Sequence, residues 1–429
     1  MEIPRDKYLN KLINQIDKPV IKIITGIRRC GKSYLLFKLF YDYLLTKGYK
    51  KEQIICINLE SRNHASLRNV DNLYENIQKK IKGKYKKYFV FLDEVQYAIS
   101  KDDARNKNIP LPIYDVLNDL LQSNNLDIYV TGSNSKFLSK DVMTEFRGRG
   151  KEIYVQPLSF SEYKSAHKGS FKEAWNDYLY YGGFPYLFIE KDNEEKANYL
   201  KNLYTEIYLK DIKERYNTKN SYGMEEILKV IASGIGSLTS PKRISDTFKS
   251  NGIKSISEPT ISDYLEYLQD SFIIKKAERY DLKGRRYIGT NSKYYFADLG
   301  LRNSLLNFRQ MEFTHLMENA IYNELIYRGF NVDVGIVEVN AVENNKKVRK
   351  QFEIDFIANK GGKRYYIQSA YNISDSKKLK QEQQSLLRVK DSFKKVIVTD
   401  SDFPSWFTDE GTLIIGLEEF LTSENSLDK

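Results

Sequence analysis

The residues best suited to chemistry lie close to the N-terminus. The β-branched run V-I-K-I-I-T at 20–25 precedes Gly26-Ile-Arg-Arg-Cys-Gly31-Lys32-Ser33, and apolar residues at helical spacing follow. A strand, a G-x-x-x-x-G-K-S loop and a helix in this order bind nucleotide phosphates through backbone N–H groups and the lysine, while the serine hydroxyl holds Mg²⁺. The helix N-terminus adds positive potential. The sequence therefore predicts a Mg²⁺-nucleotide site formed by Gly26, Ile27, Arg28, Arg29, Cys30, Gly31, Lys32, Ser33 and Tyr34.

An acidic pair follows the third predicted strand. Residues 88–92 read Y-F-V-F-L and are followed by Asp93 and Glu94, and a further apolar strand at 54–59 lies between this pair and the loop. An aspartate at the end of a buried strand is typical of the second Mg²⁺ ligand in phosphate-loop proteins. The adjacent carboxylate suits a base that polarises an attacking water. We expect Asp93 to hold the metal with Ser33 and Glu94 to act as the base.

Two further positions are weaker candidates. The strand at 127–131 ends before Gly132-Ser-Asn-Ser, where Asn134, or else Ser133, could bridge the γ-phosphate and the water; a turn that caps the next helix is the alternative. Arg147 and Arg149 lie just before a predicted strand at 152–155. One of these arginines could reach the nucleotide bound by a neighbouring subunit. The sequence does not choose between the two arginines, and an ordinary surface pair is as good an interpretation.

Composition narrows the class of protein. The chain has 429 residues, 41% of them hydrophobic, which predicts several packed domains. No apolar stretch reaches the length of a membrane span, and the N-terminus lacks the apolar core of a signal peptide, so we expect a cytoplasmic protein. Two cysteines and three scattered histidines predict neither a disulfide framework nor a His/Cys metal site. A net charge of +11 permits a nucleic-acid partner.

The motifs together resemble a known family. G-I-R-R-C-G-K-S, F-L-D-E-V-Q, T-G-S-N-S, R-G-R, Q-P-L-S-F-S-E-Y and Y-Y-G-G-F-P occur in this order. The chain resembles the bacterial and archaeal AAA-superfamily ATPases that carry a C-terminal domain of unknown function. This resemblance implies an α/β fold with a parallel-sheet P-loop core at 1–160, a helical lid at 161–222, a winged helix at 223–298 and a restriction-endonuclease-like domain at 299–429.

The middle of the chain carries its own pattern. Three helical segments from 224 onward precede a predicted β-hairpin whose turn, 283–286, reads K-G-R-R. Thr260 is expected to cap the third helix, and the basic turn suits phosphate contacts. However, Asp263 and Glu266 on that helix would repel phosphates. DNA contact, docking to a protein partner and docking within the same chain all stay open.

The end domain lacks part of a nuclease centre. Glu318 on a helix and Asp355 on a strand could provide carboxylates, with Glu353 beside them. The next strand reads Gln368-Ser-Ala370 where an E-x-K would supply a metal ligand and a lysine. We therefore predict a docking module without cleavage activity, in which Glu353 and Asp355 could equally be structural charges.

These features predict Mg²⁺-dependent ATP binding and hydrolysis coupled to a C-terminal binding module. The candidate partners are DNA, a protein and a second copy of the chain. The alternative is a slow nucleotide-gated switch or scaffold for a protein partner, and an ATP-dependent nuclease is the third hypothesis.

Overall fold

The chain forms two compact units. The computed structural model describes residues 3–83, 86–100, 111–133, 148–216, 221–252, 256–343, 346–373 and 375–429. The first unit comprises Met1–Pro157 with Asp270–Phe272, and the second comprises Leu158–Gln269 with Ile273–Lys429. The division after residue 157 lies near the predicted end of the ATPase core at 160. The finer boundaries at 222 and 298 stay predictions.

The first unit is built on a parallel sheet. Its strands are β1 (Ile21–Thr25), β2 (Ile54–Asn58), β3 (Tyr88–Asp93), β4 (Leu126–Thr131) and β5 (Gly150–Tyr154). They lie in the order β2-β3-β4-β1-β5, and every pairing is parallel. The predicted strands and the predicted parallel sheet are confirmed. A strand that is buried on both faces consists of nearly continuous apolar residues, so its position is easy to predict from the sequence.

Helices cover this sheet. They are α1 (Asp6–Ile13), a long helix α2 that begins at Lys32–Tyr34, passes through a π-helical stretch at Leu35–Phe40 and ends with Tyr41–Thr46, α3 (Val70–Lys80) and α4 (Pro112–Leu121). Leu73 and Ile77 of α3 pack with Ile113 and Leu117 of α4 against one face of the sheet. Because all five strands run in parallel, their carboxyl ends share one edge, where the loops after β1, β3 and β4 meet.

The second unit begins with helices. They are α5 (Phe160–Ala166), α6 (Phe171–Tyr181), a helix α7 that runs from Asn193–Asn202 through Leu203–Leu209 to Lys210–Tyr216, α8 (Ser221–Ser233), α9 (Pro241–Ser250) and α10 (Glu258–Asp270). Ser159 with Glu162 and Ser170 with Glu173 form capping boxes that start α5 and α6. α10 begins before Thr260, whose N–H donates to Ser257 Oγ at 3.3 Å. The prediction that Thr260 caps this helix is wrong, because the accepting oxygen is on Ser257.

An eight-stranded sheet completes the second unit. Its strands are β6 (Ile274–Asp281), β7 (Arg286–Phe296), β8 (Asn331–Glu343), β9 (Lys346–Lys360), β10 (Lys363–Ala370), β11 (Lys394–Thr399), β12 (Trp406–Phe407) and β13 (Leu413–Gly416). The helices are α11 (Leu299–Leu305), α12 (Phe313–Tyr327), α13 (Ser376–Leu387) and α14 (Leu417–Thr422). The order is β12-β13-β11-β10-β9-β8-β6-β7.

The predicted hairpin is not a separate wing. β6 and β7 pair antiparallel, as expected, but β6 also pairs in parallel with β8 through 279–281 and 334–336. One sheet therefore crosses the boundary predicted at 298. In the described ranges, none of the helices combines the length and the apolar character that a bilayer crossing requires.

Candidate functional site

The loop after β1 has a backbone that requires glycine. Gly26 has φ +143° and Gly31 has φ +98°, and between them Arg29 also adopts a positive φ of +68°. A Cβ atom on Gly26 would lie 2.0 Å from the carbonyl oxygen of Val155. A side chain there would collide with fixed backbone, so only glycine lets the loop curl at this point.

Lys32 lies at the centre of the loop. Its side chain is buried, with 4% of the residue exposed, and Nζ donates to the carbonyl oxygens of Gly26 and Ile27 at 3.0 and 3.1 Å. The residue also begins helix α2, directly after Gly31. The ammonium group and the helix N-terminus therefore combine their positive potential at one place.

Ser33 and Asp93 meet, although they are 60 residues apart. Ser33 Oγ donates to Asp93 Oδ1 at 3.0 Å, and the Thr131 hydroxyl donates to the same oxygen. Burial raises the pKa of Asp93, and the hydrogen bonds from Thr131 and Ser33 oppose that shift. A hydroxyl and a carboxylate oxygen are the hard donors that Mg²⁺ prefers, so the pair predicted as metal ligands fits this ion.

Glu94 is held by its neighbours. It adopts an unusual left-handed conformation with φ +53°, is 6% exposed, and its N–H donates to Thr131 Oγ1 at 3.0 Å. Its Oε2 accepts hydrogen bonds from the Gln96 amide and, at 3.4 Å, from Ser133 Oγ. Strained backbone of this kind persists only where the surroundings enforce it. The carboxylate is thus fixed beside Asp93, with Ser133, the second of the two polar candidates after β4, in contact with it.

The other predicted residues are not all near the loop. Asn134 and Arg147 lie outside the described residues. Arg149 is exposed, and its carbonyl oxygen accepts the N–H of Ile21 at the amino end of β1. The phosphate loop begins at the carboxyl end of β1, and the five residues of this strand separate its two ends by roughly 16 Å. Arg149 therefore does not belong to the site of its own chain.

The remaining loop residues differ in environment. Arg28 pairs with Glu60 at 2.9 Å, whereas Arg29 and Tyr34 are exposed. Ile27 and Cys30 are buried, and burial raises the pKa of the Cys30 thiol. Because the side chains of Ile27 and Cys30 are buried, any phosphate contact at those two positions would come from backbone N–H groups.

Arg5 was missed by sequence reasoning. Its guanidinium is buried and donates to the carbonyl oxygens of Cys30 at 3.0 Å and Gln156 at 2.7 Å. Tyr8 assists, since its hydroxyl accepts the N–H of Gln156 at 3.1 Å and its ring lies 4.7 Å from the guanidinium carbon. The two residues fix the phosphate loop to the segment after β5. Nothing in the local pattern around Arg5 indicates this role.

A second polar cluster lies within the second unit. Lys293 of β7, only 2% exposed, is 2.8 Å from carboxylate oxygens of Glu318 and Glu353 and 3.4 Å from Asp355 Oδ1. Tyr295 donates to Glu318 Oε1 at 2.7 Å. The predicted carboxylates do come together, and a lysine is present among them, but it comes from the hairpin and not from the strand of Gln368.

The charged groups of this cluster shift one another's pKa values. Burial acts to lower the pKa of Lys293, but the negative charges of Glu318, Asp355 and Glu353 outweigh it and raise that pKa. Burial raises the pKa of Asp355 to about 7, against the opposing effect of Lys293. Gln368 accepts the N–H of Asp355 at 3.5 Å through Oε1. In the part of the chain that is described, no group of three or more His, Cys, Asp or Glu side chains is arranged to bind a metal.

The geometry of the first unit defines a class. A glycine-bounded loop between an interior parallel strand and a helix, a buried lysine, and a serine hydrogen-bonded to an aspartate at the end of β3 are the parts of a P-loop domain. Residues 18–164 match the family model described as "AAA domain". Residues 172–312 match a "Domain of unknown function (DUF8612)".

Relatives extend the match to nearly the whole chain. An uncharacterized protein of Haemophilus influenzae is 33% identical over 421 residues, which cover 97% of this chain and 96% of that protein. The chain belongs to the same family, and its N-terminal domain is a P-loop domain of the AAA type. An uncharacterized protein of Methanocaldococcus jannaschii is 27% identical over 83% of this chain and 76% of its own. Among solved structures, the Walker-type ATPase of Pyrococcus abyssi is 18% identical with a TM-score of 0.49, and the match covers 71% of this chain and 96% of that one.

Proposed function

We propose that the first unit binds Mg-ATP and hydrolyses it to ADP and phosphate. The observation that carries this proposal is the 3.0 Å hydrogen bond between Ser33 Oγ and Asp93 Oδ1, beside the buried ammonium of Lys32. The start of α2 and the end of β3, which are far apart in sequence, thereby provide the two metal ligands next to the lysine of the phosphate loop. The match to the AAA domain model supports the same assignment.

Each residue has a separate task in this mechanism. Lys32 binds the β- and γ-phosphate oxygens and offsets their charge, and Ser33 and Asp93 hold Mg²⁺ through a hydroxyl and a carboxylate oxygen. An ion held by these two residues would supply positive charge at the phosphate oxygens. Glu94 accepts the proton of the attacking water at a carboxylate oxygen, and Gln96 and Ser133 fix its orientation.

Two further assignments are part of the proposal. Asn134 contacts the γ-phosphate and the water from the end of β4. Arg147 or Arg149 stabilises the transferring phosphoryl group from a neighbouring copy of the chain. The exposed position of Arg149 at the far edge of the sheet supports action on a neighbour's nucleotide rather than on its own.

A second candidate function is a slow nucleotide-gated switch whose output is a partner bound by the second unit. Lys293 favours a binding role for that unit over cleavage, because its ammonium supplies positive charge at the carboxylates that a nuclease would use for metal. Metal-dependent plasmid nicking that is lost in Asp355→Ala would support the nuclease hypothesis instead. ATPase rates with and without single- and double-stranded DNA, at two salt concentrations, separate DNA-coupled turnover from a switch that ignores DNA.

Replacement of Lys32 tests the proposal. Lys32→Ala should lower ATP turnover at least about a hundredfold, since a preorganised charge at the phosphates is lost. The matched control is Lys38→Ala on the same helix, where the lysine is exposed and pairs with Asp42 at 2.5 Å. Turnover should be unchanged in the control. Equal turnover of wild type, Lys32→Ala and Lys38→Ala would overturn the assignment.

A further inference from the structure

A two-stranded ribbon projects from the large sheet. β8 and β9 pair along residues 331–343 and 346–360, but β10 pairs with β9 only through 356–360, and β6 pairs with β8 only through 334–336. Among the described strands, residues 337–343 and 346–353 therefore pair only with each other. Such a ribbon is about as wide as an α-helix and fits the major groove of duplex DNA.

The returning strand of the ribbon is basic. Residues 346–352 read K-K-V-R-K-Q-F, with four basic and no acidic residues. Arg349 and Lys350 are both exposed, and neighbouring side chains on a strand point to opposite faces. Glu338 on the partner strand accepts a hydrogen bond from Gln351 at 2.7 Å. Both faces of the ribbon thus present positive charge.

Helix α13 carries a second positively charged surface, a stripe of side chains along one face. Lys377, Lys380, Gln384 and Arg388 are all exposed and recur at spacings of three or four residues, which puts them on one face of the helix. The stripe spans roughly 16 Å at 1.5 Å per residue. Glu382 is the one acidic residue between 376 and 390, and it pairs with Lys378 at 2.8 Å.

The ribbon and the helix stripe meet at a pocket. It is lined by Val339, Lys350, Gln351, Phe352, Gln384 and Arg388. The guanidinium carbon of Arg388 lies 3.9 Å from the centre of the Phe352 ring. This stacking joins the end of the helix to the base of the ribbon, so the two basic segments form one continuous surface, which we call the ribbon surface (residues 348–352 and 377–388).

We propose that the ribbon surface binds duplex DNA, with the ribbon in a groove and the helix stripe along the phosphates. The complementary charge favours a polyanion, and a basic two-stranded ribbon favours a duplex over a single strand. The inference goes beyond the proposed function and does not depend on ATP hydrolysis. Its test is therefore made without nucleotide, so that its failure and the failure of the ATPase proposal are distinguishable.

The experiment measures fluorescence anisotropy of a labelled 25-base-pair duplex, and of one of its strands, with the full chain at several salt concentrations. Lys377→Ala/Lys380→Ala should weaken duplex binding at least about tenfold at low salt and reduce the slope of log K against log[salt] by about two, one for each phosphate contact. Arg349→Ala should weaken it as well. Arg388→Lys, which keeps the charge, should change the slope little.

Exposed lysines elsewhere provide the control. Lys38→Ala/Lys79→Ala removes the same charge from two helices of the first unit, where both lysines pair with carboxylates four residues away. The control should bind duplex as the wild type does. The proposal is overturned if the wild type does not bind duplex at low salt, if the single strand binds as tightly as the duplex, or if both double variants lose affinity equally while their circular dichroism remains native.

Discussion

Lys293→Met removes the positive charge from a buried cluster and keeps nearly the same volume. The ammonium of Lys293 is within 3.4 Å of three carboxylates, and Glu318 and Asp355 are themselves buried. Breaking a buried ion pair by removal of one partner costs about 3–5 kcal/mol, because the other charge is left without compensation. We expect a loss of that size in the unfolding free energy of the second unit at pH 8.

The loss should depend on pH. In wild type the charge of Lys293 lowers the pKa of Glu318 against the effect of burial. Without that charge, burial raises the pKa of the carboxylates above their unfolded values, so the native variant binds more protons than the unfolded chain. Its stability therefore increases as pH falls through these raised pKa values. The difference between variant and wild type should shrink markedly between pH 8 and pH 5.

Tryptophan fluorescence reports this unit alone, because both tryptophans of the chain, Trp175 and Trp406, lie in it. Urea unfolding of the full-length chain at the two pH values measures the loss. Lys276→Ala is the matched control, since Lys276 is a partly exposed residue of the same hairpin that pairs with Glu278 at 2.7 Å, and it should cost under about 1 kcal/mol. A loss in Lys293→Met no larger than the control, or one of equal size at both pH values, would refute the reasoning.

Three further predictions concern single side chains. Glu94→Gln should lower ATP turnover by about 10²–10⁴ in a steady-state assay while ATP affinity is kept, because only the proton acceptor is lost; turnover within threefold of wild type would contradict its role as base. Arg5→Lys keeps the positive charge but cannot donate to both carbonyl oxygens that the guanidinium contacts, so hydrogen exchange of the phosphate-loop peptide should accelerate and ATP affinity should fall. Unchanged hydrogen exchange would contradict the proposal that Arg5 holds the loop in place. Burial raises the pKa of Asp298 to about 6, although hydrogen bonds from the N–H groups of Gly183 and Leu301 oppose the shift. The native state therefore binds a proton at Asp298 more tightly than the unfolded chain does. As a result, the free energy of unfolding falls as pH rises from about 4 to about 6. Asp298→Asn should remove up to about 3 kcal/mol of that pH dependence in urea unfolding, and identical pH profiles would contradict it.

The phosphate site was predictable because its residues follow one another at fixed spacing. Largely apolar runs indicate the first four parallel strands, and the loop and the Asp93-Glu94 pair lie directly at strand ends. Thr131 was inside a predicted strand, but its hydroxyl contact with Asp93 depends on the pairing of β3 with β4, which no local pattern specifies.

The contacts that could not be predicted from the sequence join residues that are far apart in the chain. Lys293 precedes Glu318 by 25 residues and Asp355 by 62, and the sequence pattern predicts a separate hairpin for its strand. The hairpin pattern is the same whether it stands alone or joins a larger sheet, so the parallel pairing of β6 with β8 left no local signal. Asn134 and Arg147 stay predictions.

Calorimetric titration of the wild-type chain with a non-hydrolysable ATP analogue, with and without Mg²⁺, tests the central claim most directly. The buried Lys32 in the phosphate loop and the hydrogen bond between Ser33 and Asp93 predict one site per chain, with binding that is tighter in the presence of Mg²⁺ and weakened by Ser33→Ala. No binding heat from folded protein at several temperatures, or binding that is indifferent to both Mg²⁺ and Ser33, would contradict the account.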